Sequence, residues 1–192
     1  MLSEYDDELW ELVPEEPGPP PRHLIEFARG LGRPERALDL GCGDGRLTRE
    51  LQAADVTAVD VTLVALKRAR SRIPDATLLL VTPGQPLPFA DSSFELVLCA
   101  ETLEHVQDVQ RLLSELRRVL VPGGTLAIST PAHGRGTGLM VLRRGFESVF
   151  DPLSPHLRFF SRRSLGALLD LMGFESTSLR QAHGTLLAVA TR

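Results

Sequence analysis

The sequence predicts an α/β protein of three layers, in which helices cover both faces of a seven-stranded, mostly parallel sheet with an antiparallel strand at its C-terminal end. Apolar runs of strand length alternate with segments of helical period. Such alternation is typical of crossover units, which place helices on both faces of a parallel sheet. A length of 192 residues with 43% hydrophobic content suits one domain, residues 1–192, with a substantial core.

The N-terminal segment and the strands follow in order along the chain. Residues 1–22 are predicted to form a short helix and a rigid, proline-rich linker with the sequence EEPGPPPR. The apolar runs that predict parallel strands are 36–40, 55–60, 76–81, 94–99 and 124–130. The last two stretches, 174–181 and 185–191, are compatible with a closing pair of strands.

Helical spacing lies between the strands and near the C terminus. It covers residues 45–53, 62–72 and 108–120. Ser161 has the residue type of an N-cap and Gly173 that of a helix stop, so a further helix is predicted between them. Residues 132–160 are the least regular part of the chain, and we expect them to form a lid on the substrate side.

Charge and cysteine content narrow the class of protein. The formal net charge of −4 removes the simple electrostatic case for a nucleic-acid binder. No apolar run approaches the roughly 20 residues of a membrane span, and the N-terminal residues are acidic where a signal peptide is basic. Cys42 and Cys99 sit in apolar, strand-like contexts, which indicates free thiols. We therefore predict a cytoplasmic protein.

A glycine-rich turn follows the first predicted strand. Gly41, Gly43 and Gly45 would let backbone N–H groups approach a ligand at the edge where open α/β sheets bind cofactors. Asp60 ends the next strand, where a carboxylate can accept hydrogen bonds from both hydroxyls of a ribose. Arg46 stands where the dinucleotide pattern GxGxxG has its third glycine, which disfavours a pyrophosphate cradle and hence the alternative of a nicotinamide-dependent oxidoreductase.

Four segments then resemble one family in its own order. They are ALDLGCGDG (37–45), AVD (58–60), LPFADSSFELVLCAETLEHVQD (87–108) and RRVLVPGGTLAISTP (117–131). A fifth, HLRFFSRRSLGALLDLMGF (156–174), is similar to the closing helix of the same branch. The sequence resembles the class I, Rossmann-like S-adenosylmethionine-dependent methyltransferases, especially the small-molecule branch that includes ubiquinone- and menaquinone-pathway enzymes. The resemblance implies methyl transfer from S-adenosylmethionine to a small-molecule acceptor.

The resemblance also implies which residues hold the cofactor. The loop of Gly41, Cys42 and Gly43 would hold its methionine part, Asp39 its amino group and Asp60 its ribose. Ala100 and Glu101, at the end of the fourth strand, would line the pocket. In relatives, the helix that contains Tyr5 and Trp10 closes over the cofactor; a simple packing role for Trp10 is the alternative.

One departure from the family concerns the adenine. Pro83 stands where relatives commonly have an aspartate that accepts from the adenine amino group, and proline offers no side-chain acceptor. Adenine would then depend on Gly84, on Gln85 and on packing beside Val61. Because weaker cofactor binding follows, a non-catalytic module that binds S-adenosylmethionine is an alternative to an enzyme.

Candidate catalytic residues lie in ETLEHV. If a helix begins there, Glu101, Glu104 and His105 share one face. Glu104 and His105 are the predicted groups that orient or deprotonate the acceptor, and His156 is predicted to complete the wall. The main prediction involves no metal. In the alternative, Glu101, Glu104 and His105 hold a divalent ion, as ExxEH does in metal-dependent O-methyltransferases, and the acceptor is catechol-like or an RNA 3′ end.

The predicted lid segment has further polar features. His133 is a weaker candidate for the active site. The segment and the residues after it carry an excess of arginine, which predicts either solvated helix faces or a cationic lid for an acceptor with a carboxylate or phosphate. The residues concerned are Arg135, Arg143, Arg144, Arg158, Arg162 and Arg163, against Glu147 and Asp151.

Overall fold

A seven-stranded sheet forms the centre of the computed structural model, which describes residues 7–8, 10–146, 150 and 156–192. The strands are β1 (Arg36–Leu40), β2 (Asp55–Asp60), β3 (Thr77–Leu80), β4 (Phe94–Ala100), β5 (Leu120–Pro131), β6 (Glu175–Ala182) and β7 (Thr185–Thr191). Their order across the sheet is β3-β2-β1-β4-β5-β7-β6. Neighbours from β3 to β5 pair in parallel, whereas β7 is antiparallel to both β5 and β6. The predicted fold class is confirmed.

Helices flank the sheet: α1 (Arg22–Arg29), α2 (Leu63–Arg72), α3 (Val109–Val119), α4 (Arg135–Arg144) and α5 (Arg162–Leu171). Short polar side chains cap three of them, because Thr62, Asp108 and Ser161 each accept a hydrogen bond from a backbone N–H of the first turn. The predicted N-cap at Ser161 is confirmed. Residues 7, 8 and 10–12 are helical as well, while Tyr5 lies outside the described residues.

Helix α1 is absent from the sequence-based predictions. Its buried residues, Leu24, Phe27 and Ala28, have the i, i+3, i+4 spacing of an amphipathic helix. The helix begins where the predicted proline-rich linker ends, and no element is predicted for the residues that follow. Across the described ranges, no helix combines the length and the apolarity that a membrane span requires.

The predicted helix over 45–53 is wrong. Its residues form a turn and a single 3₁₀ turn, Thr48–Glu50, and the backbone is already extended at Leu51. Gly41, Gly43 and Gly45 all have positive φ, and a left-handed residue cannot continue a right-handed helix. Few residues are then left before β2. The segment has one i to i−4 hydrogen bond, from Arg49 N to Gly45 O, beside the i to i−3 bonds from Glu50 N to Leu47 O and from Leu51 N to Thr48 O.

The core lies on both faces of the sheet. Leu96 and Leu98 of β4 pack with α1, whereas Val97 and Cys99, one residue out of step, pack with α3 and α5. Both cysteines are buried and free, as predicted. With helices on each face, the carboxyl ends of β1, β2, β4 and β5 form one polar edge, and the residues that follow these strands build the site.

Candidate active site

The glycine-rich turn after β1 is held in a shape that only glycine accommodates. Gly41 has φ of 74°, and a Cβ built there would lie 2.3 Å from the hydroxyl oxygen of Thr102. Gly43 has φ of 55°, and its Cβ would lie 2.8 Å from the ring of Trp10. The amides of Gly41 and Cys42 both donate to the carbonyl oxygen of Val59, at 2.8 and 3.0 Å. The turn is therefore fastened to the end of β2 and packed on two sides.

Asp60 ties the turn to the second strand end. Its carboxylate accepts from Gly43 N at 2.8 Å and from Thr62 N at 3.0 Å, and the residue is buried. Burial raises the pKa of Asp60, although these backbone hydrogen bonds oppose the shift. The backbone of Val61 and the side chain of Thr62 also favour the ionised form, and the role of Asp60 toward a ribose stays a prediction.

Asp39, inside β1, is the second buried acid beside the turn. Thr48 Oγ1 donates to its Oδ2 at 2.6 Å. Burial raises the pKa of Asp39 to about 7, and the nearby charge of Asp60 adds to the shift. A cationic amino group placed beside Asp39 would favour the ionised carboxylate. The buried acids beside the turn are thus acceptors that could serve an ammonium group.

The residues predicted to contact adenine lie on an exposed turn after β3. Gln85 N donates to Thr82 O at 3.2 Å, and Gly84 has φ of 70° with open space around its Cα. Pro83, Gly84 and Gln85 are exposed, whereas Val61, after β2, is half-buried. Their role toward adenine stays a prediction.

The N-terminal segment lies across the glycine turn through contacts that sequence reasoning missed. Beside the contact of Trp10 with Gly43, three arginines from the body donate to its backbone. Arg68 reaches Val13 O at 2.8 Å and Arg46 reaches Gly18 O at 2.8 Å. Arg72 donates to the carbonyl of Glu15 and forms an ion pair with Asp44 at 3.3 Å. These partners are far apart in sequence, and no local pattern indicates them.

The chain after β4 differs from the conditional prediction of a helix. Glu101 has φ of 49°, and a 3₁₀ turn, Leu103–His105, follows. Glu101 is held by Ser129 of β5, which accepts from its N–H at 2.9 Å through the carbonyl oxygen and donates through Oγ to its Oε1 at 2.8 Å. The prediction that Glu101, Glu104 and His105 share one helical face is therefore wrong, because the left-handed backbone of Glu101 prevents a helix from beginning there.

The three residues predicted to be catalytic nevertheless come together. Glu104 is 1% exposed and accepts from Thr130 Oγ1 at 3.0 Å, while its other oxygen lies 4.0 Å from His105 Nε2. The rings of His105 and His156 are 4.9 Å apart, edge to face. Backbone bonds from Leu157 N and Arg158 N to Glu104 O, at 2.8 and 3.0 Å, hold the segment of His156 against the turn.

Burial sets the protonation of this cluster. It raises the pKa of Glu104 to about 7 and, with the charge of His105, lowers the pKa of His156. One ligand atom from each of Glu104, His105 and His156 lies within 4.8 Å of the others. Within the described part of the chain this is the group that could hold a metal ion, and Glu101 of the metal alternative is not in it.

His133, after β5, stands beside this cluster. Its backbone N donates to Phe160 O at 2.7 Å, and its ring meets Phe159 edge to face at 4.9 Å. Burial and the nearby His156 lower the pKa of His133. Its Nδ1 atom is buried and has no hydrogen-bond partner among the described residues.

Three of the arginines in and after the predicted lid have contacts among the described residues. Arg158 donates to the backbone carbonyls of Val106 and Gln107. Arg162 and Arg163 lie beside Asp170 at a shallow surface between α5 and β6. The side chain of Arg135 and all of Glu147 and Asp151 lie outside the described residues.

Fold and site together define a class, namely α/β proteins that bind a nucleotide-like cofactor over the carboxyl ends of their first strands. Residues 38–128 match the family described as methyltransferase domain. The chain is 35% identical over 178 residues to a malonyl-[acyl-carrier protein] O-methyltransferase of Methylococcus capsulatus, covering 86% of this chain and 63% of the relative. The chain is therefore similar in sequence to methyltransferases.

A second curated relative and a solved structure agree with this similarity. A ubiquinone/menaquinone biosynthesis C-methyltransferase of Psychromonas ingrahamii is 30% identical over 162 residues, which cover 78% of this chain and 58% of the relative. The chain thus spans less than two thirds of both curated relatives. A crystal structure of an S-adenosylmethionine-dependent methyltransferase from Methanosarcina mazei shares the fold, with a TM-score of 0.69, 22% identity, and coverage of 91% of this chain and 99% of that one.

Proposed function

We propose that this protein transfers the methyl group of S-adenosylmethionine to a small-molecule acceptor. The observation that carries the proposal is a contact: Thr102 packs its side chain onto Gly41 of the cofactor turn, two residues before Glu104. The glycine-rich turn and the acid–base cluster, which we define as Glu104, His105 and His156, are therefore adjacent at the carboxyl edge of the sheet. A site that holds donor and acceptor side by side supplies much of a methyl transfer through positioning.

We assign different tasks to the residues around the glycine-rich turn and to the acid–base cluster. The cofactor, when bound, supplies a methyl group already made electrophilic by the sulfonium. Asp39 and Asp60 orient the amino group and the ribose. Glu104, with a pKa of about 7, and His105 beside it accept the proton that the acceptor loses. His156 closes the cluster on the other side and orients the acceptor.

A second candidate is a metal-assisted O-methyltransferase, favoured by the mutual approach of Glu104, His105 and His156. One carboxylate and two imidazoles suit a divalent transition ion such as Zn²⁺. Such an ion would lower the pKa of an acceptor hydroxyl. Loss of activity with chelator and its return with added zinc or magnesium would select this candidate, and indifference to chelator would select the metal-free one.

The acceptor panel follows from the relatives' names. One relative is named for malonyl-[acyl-carrier protein] and another for ubiquinone/menaquinone biosynthesis, so the panel begins with a carboxylate and a quinol. Transfer of labelled methyl from S-adenosylmethionine is measured beside calorimetry with S-adenosylhomocysteine and with NADH. We expect binding of the first ligand alone and methylation of at least one acceptor. Binding without methylation would favour the non-catalytic module, and NADH binding would contradict the proposal.

The cofactor assignment has its own test. Asp60→Ala should weaken S-adenosylhomocysteine binding by about 1–3 kcal/mol, the range for leaving buried polar partners unpaired. Asp91, an exposed acid that pairs with Arg118, provides the control, because Asp91→Ala removes a carboxylate far along the chain from the turn. Equal dissociation constants for the folded Asp60 variant and the native protein would refute the role of Asp60.

A further inference from the structure

Helix α4 leaves large apolar side chains exposed around a groove. Leu139, Leu142 and Phe146 are 51%, 85% and 64% exposed. With Phe150 and the aliphatic part of the helix they line a groove of about 900 Å³, whose polar side chains are His133 and Thr137. Soluble proteins seldom leave so many neighbouring apolar groups in water unless the surface binds something.

A short segment of chain joins the groove to the cluster of Glu104, His105 and His156. His133 lines the groove, its backbone N donates to Phe160 O at 2.7 Å, and its ring meets Phe159 at 4.9 Å. His156 contacts His105. Residues 156–160 therefore run from Glu104, whose carbonyl oxygen accepts from Leu157 N and Arg158 N, to His133 at the groove. The rings of Phe159 and Phe150 contact that of His133.

The shape and composition of the groove favour a small molecule. Its volume lies within the range of roughly 300–1,000 Å³ that small-molecule sites have, and such sites combine apolar walls with a few polar groups. The polar side chains beside those walls are those of His133 and Thr137.

We infer that this groove binds the apolar body of the methyl acceptor, whose reacting group lies at Glu104 and His105. The acceptor is then an amphiphile: a polar, methylatable head joined to an apolar ring or chain that lies along Leu139, Leu142 and Phe146. The inference deepens the proposed function and rests on it. It predicts a binding preference that requires no knowledge of the acceptor.

The test uses a neutral fluorescent probe, N-phenyl-1-naphthylamine, with the full chain saturated with S-adenosylhomocysteine. We expect a saturable rise in fluorescence, and displacement by 1-hexanol, 1-octanol and 1-decanol that strengthens about threefold to fourfold per CH₂, as burial of a methylene requires. Leu142→Ser and Phe146→Ser should each weaken probe binding at least fivefold. The matched control is Leu171→Ser, which removes a leucine that is 71% exposed on α5, outside the groove, and should change nothing.

Several outcomes would overturn the inference. They are equal probe binding by all variants, equal loss in the Leu171 control, and weaker probe binding with saturating S-adenosylhomocysteine than without it. Binding to phosphatidylglycerol vesicles without binding of the soluble probe would assign α4 to a membrane surface, and a native dimer that Leu142→Ser converts to a monomer would assign it to self-association. Calorimetry with S-adenosylhomocysteine is read separately, so a failure of the proposed cofactor site is distinguished from a failure of the groove.

Discussion

At the ends of β1 and β2, polar groups are buried and hydrogen-bonded, whereas beyond β5 apolar groups lie exposed around an open groove. The first region, the donor half, comprises Asp39, the glycine turn and Asp60; the second, the acceptor half, comprises the Glu104 cluster and the groove along α4. In the donor half each contact joins elements that the sheet fixes. In the acceptor half, α4 and residues 156–160 meet the sheet through few hydrogen bonds. The fold thus specifies the place of the cofactor far more tightly than that of the acceptor.

The largest expected effect is a loss of turnover caused by changes in the acceptor half alone. Glu104→Gln and His105→Ala should lower turnover of an identified acceptor about 10²–10⁴-fold, the usual contribution of a general base. Affinity for S-adenosylhomocysteine should stay unchanged, because neither residue belongs to the glycine turn. His23→Ala, which removes an imidazole in α1, is the control. Near-full turnover in both variants would mean that catalysis is by proximity alone.

The second prediction concerns pH and the donor half. In the folded protein the pKa of Asp39 is about 7, above its ordinary value of 3.8, so between these values the folded state holds a proton that the unfolded state has released. The free energy of unfolding then falls as pH rises through this window and is constant above it. Asp39→Asn removes the loss, so its stability relative to the native protein should improve by about 2–3 kcal/mol between pH 5 and pH 8.

The measurement is urea unfolding of both proteins at several pH values. Glu104 titrates in the same direction, but it is present in both proteins and cancels in the difference. Saturating S-adenosylhomocysteine should flatten the difference, because its amino group favours the ionised Asp39. A difference that does not vary with pH would contradict the assignment of a raised pKa to Asp39.

The third prediction separates two destabilising effects that glycine avoids at position 41, namely the strain of a left-handed backbone and a steric clash. Gly41→Ala places a methyl group at positive φ and against Thr102, whereas Gly84→Ala places one at nearly the same φ, 70° against 74°, in open space. Both should lose about 1–2 kcal/mol to the left-handed backbone. Gly41→Ala should lose about 1–3 kcal/mol more through overpacking. A second substitution, Thr102→Ala, should recover part of that extra loss, and equal stabilities of the two single variants would contradict the close packing.

The same contrast explains how far the sequence predicted the molecule. The bounds of β1, β2 and β7, the place of Asp60 at the end of β2 and the cap at Ser161 follow from local periodicity and residue type, and they lie as predicted. Strand β5 begins at Leu120 and not at residue 124, so the helix predicted to residue 120 ends one residue earlier. Asp39 is a candidate only through the family resemblance, and its role stays a prediction. The helix over 45–53 and the face containing Glu101 failed because left-handed residues decide the path there, and in Glu101 a non-glycine residue has positive φ. The arginine contacts to residues 13–18 and the groove along α4 depend on neighbours distant in sequence, which a local pattern does not encode.

The smallest expected effect concerns Pro83, on the exposed turn after β3 that is predicted to contact adenine. Pro83 occupies the place of an acceptor for the adenine amino group, on a turn where proline donates no hydrogen bond and an aspartate is easily accommodated. Pro83→Asp should therefore tighten S-adenosylhomocysteine binding by about 0.5–1.5 kcal/mol, the net worth of one hydrogen bond. Pro86→Asp adds the same charge three residues further along the exposed segment and should leave binding unchanged. If Pro83→Asp weakens binding, Gln85 or the backbone already serves the adenine, and the donor half is complete without the aspartate; if both variants tighten it equally, the gain comes from charge and not from a specific acceptor.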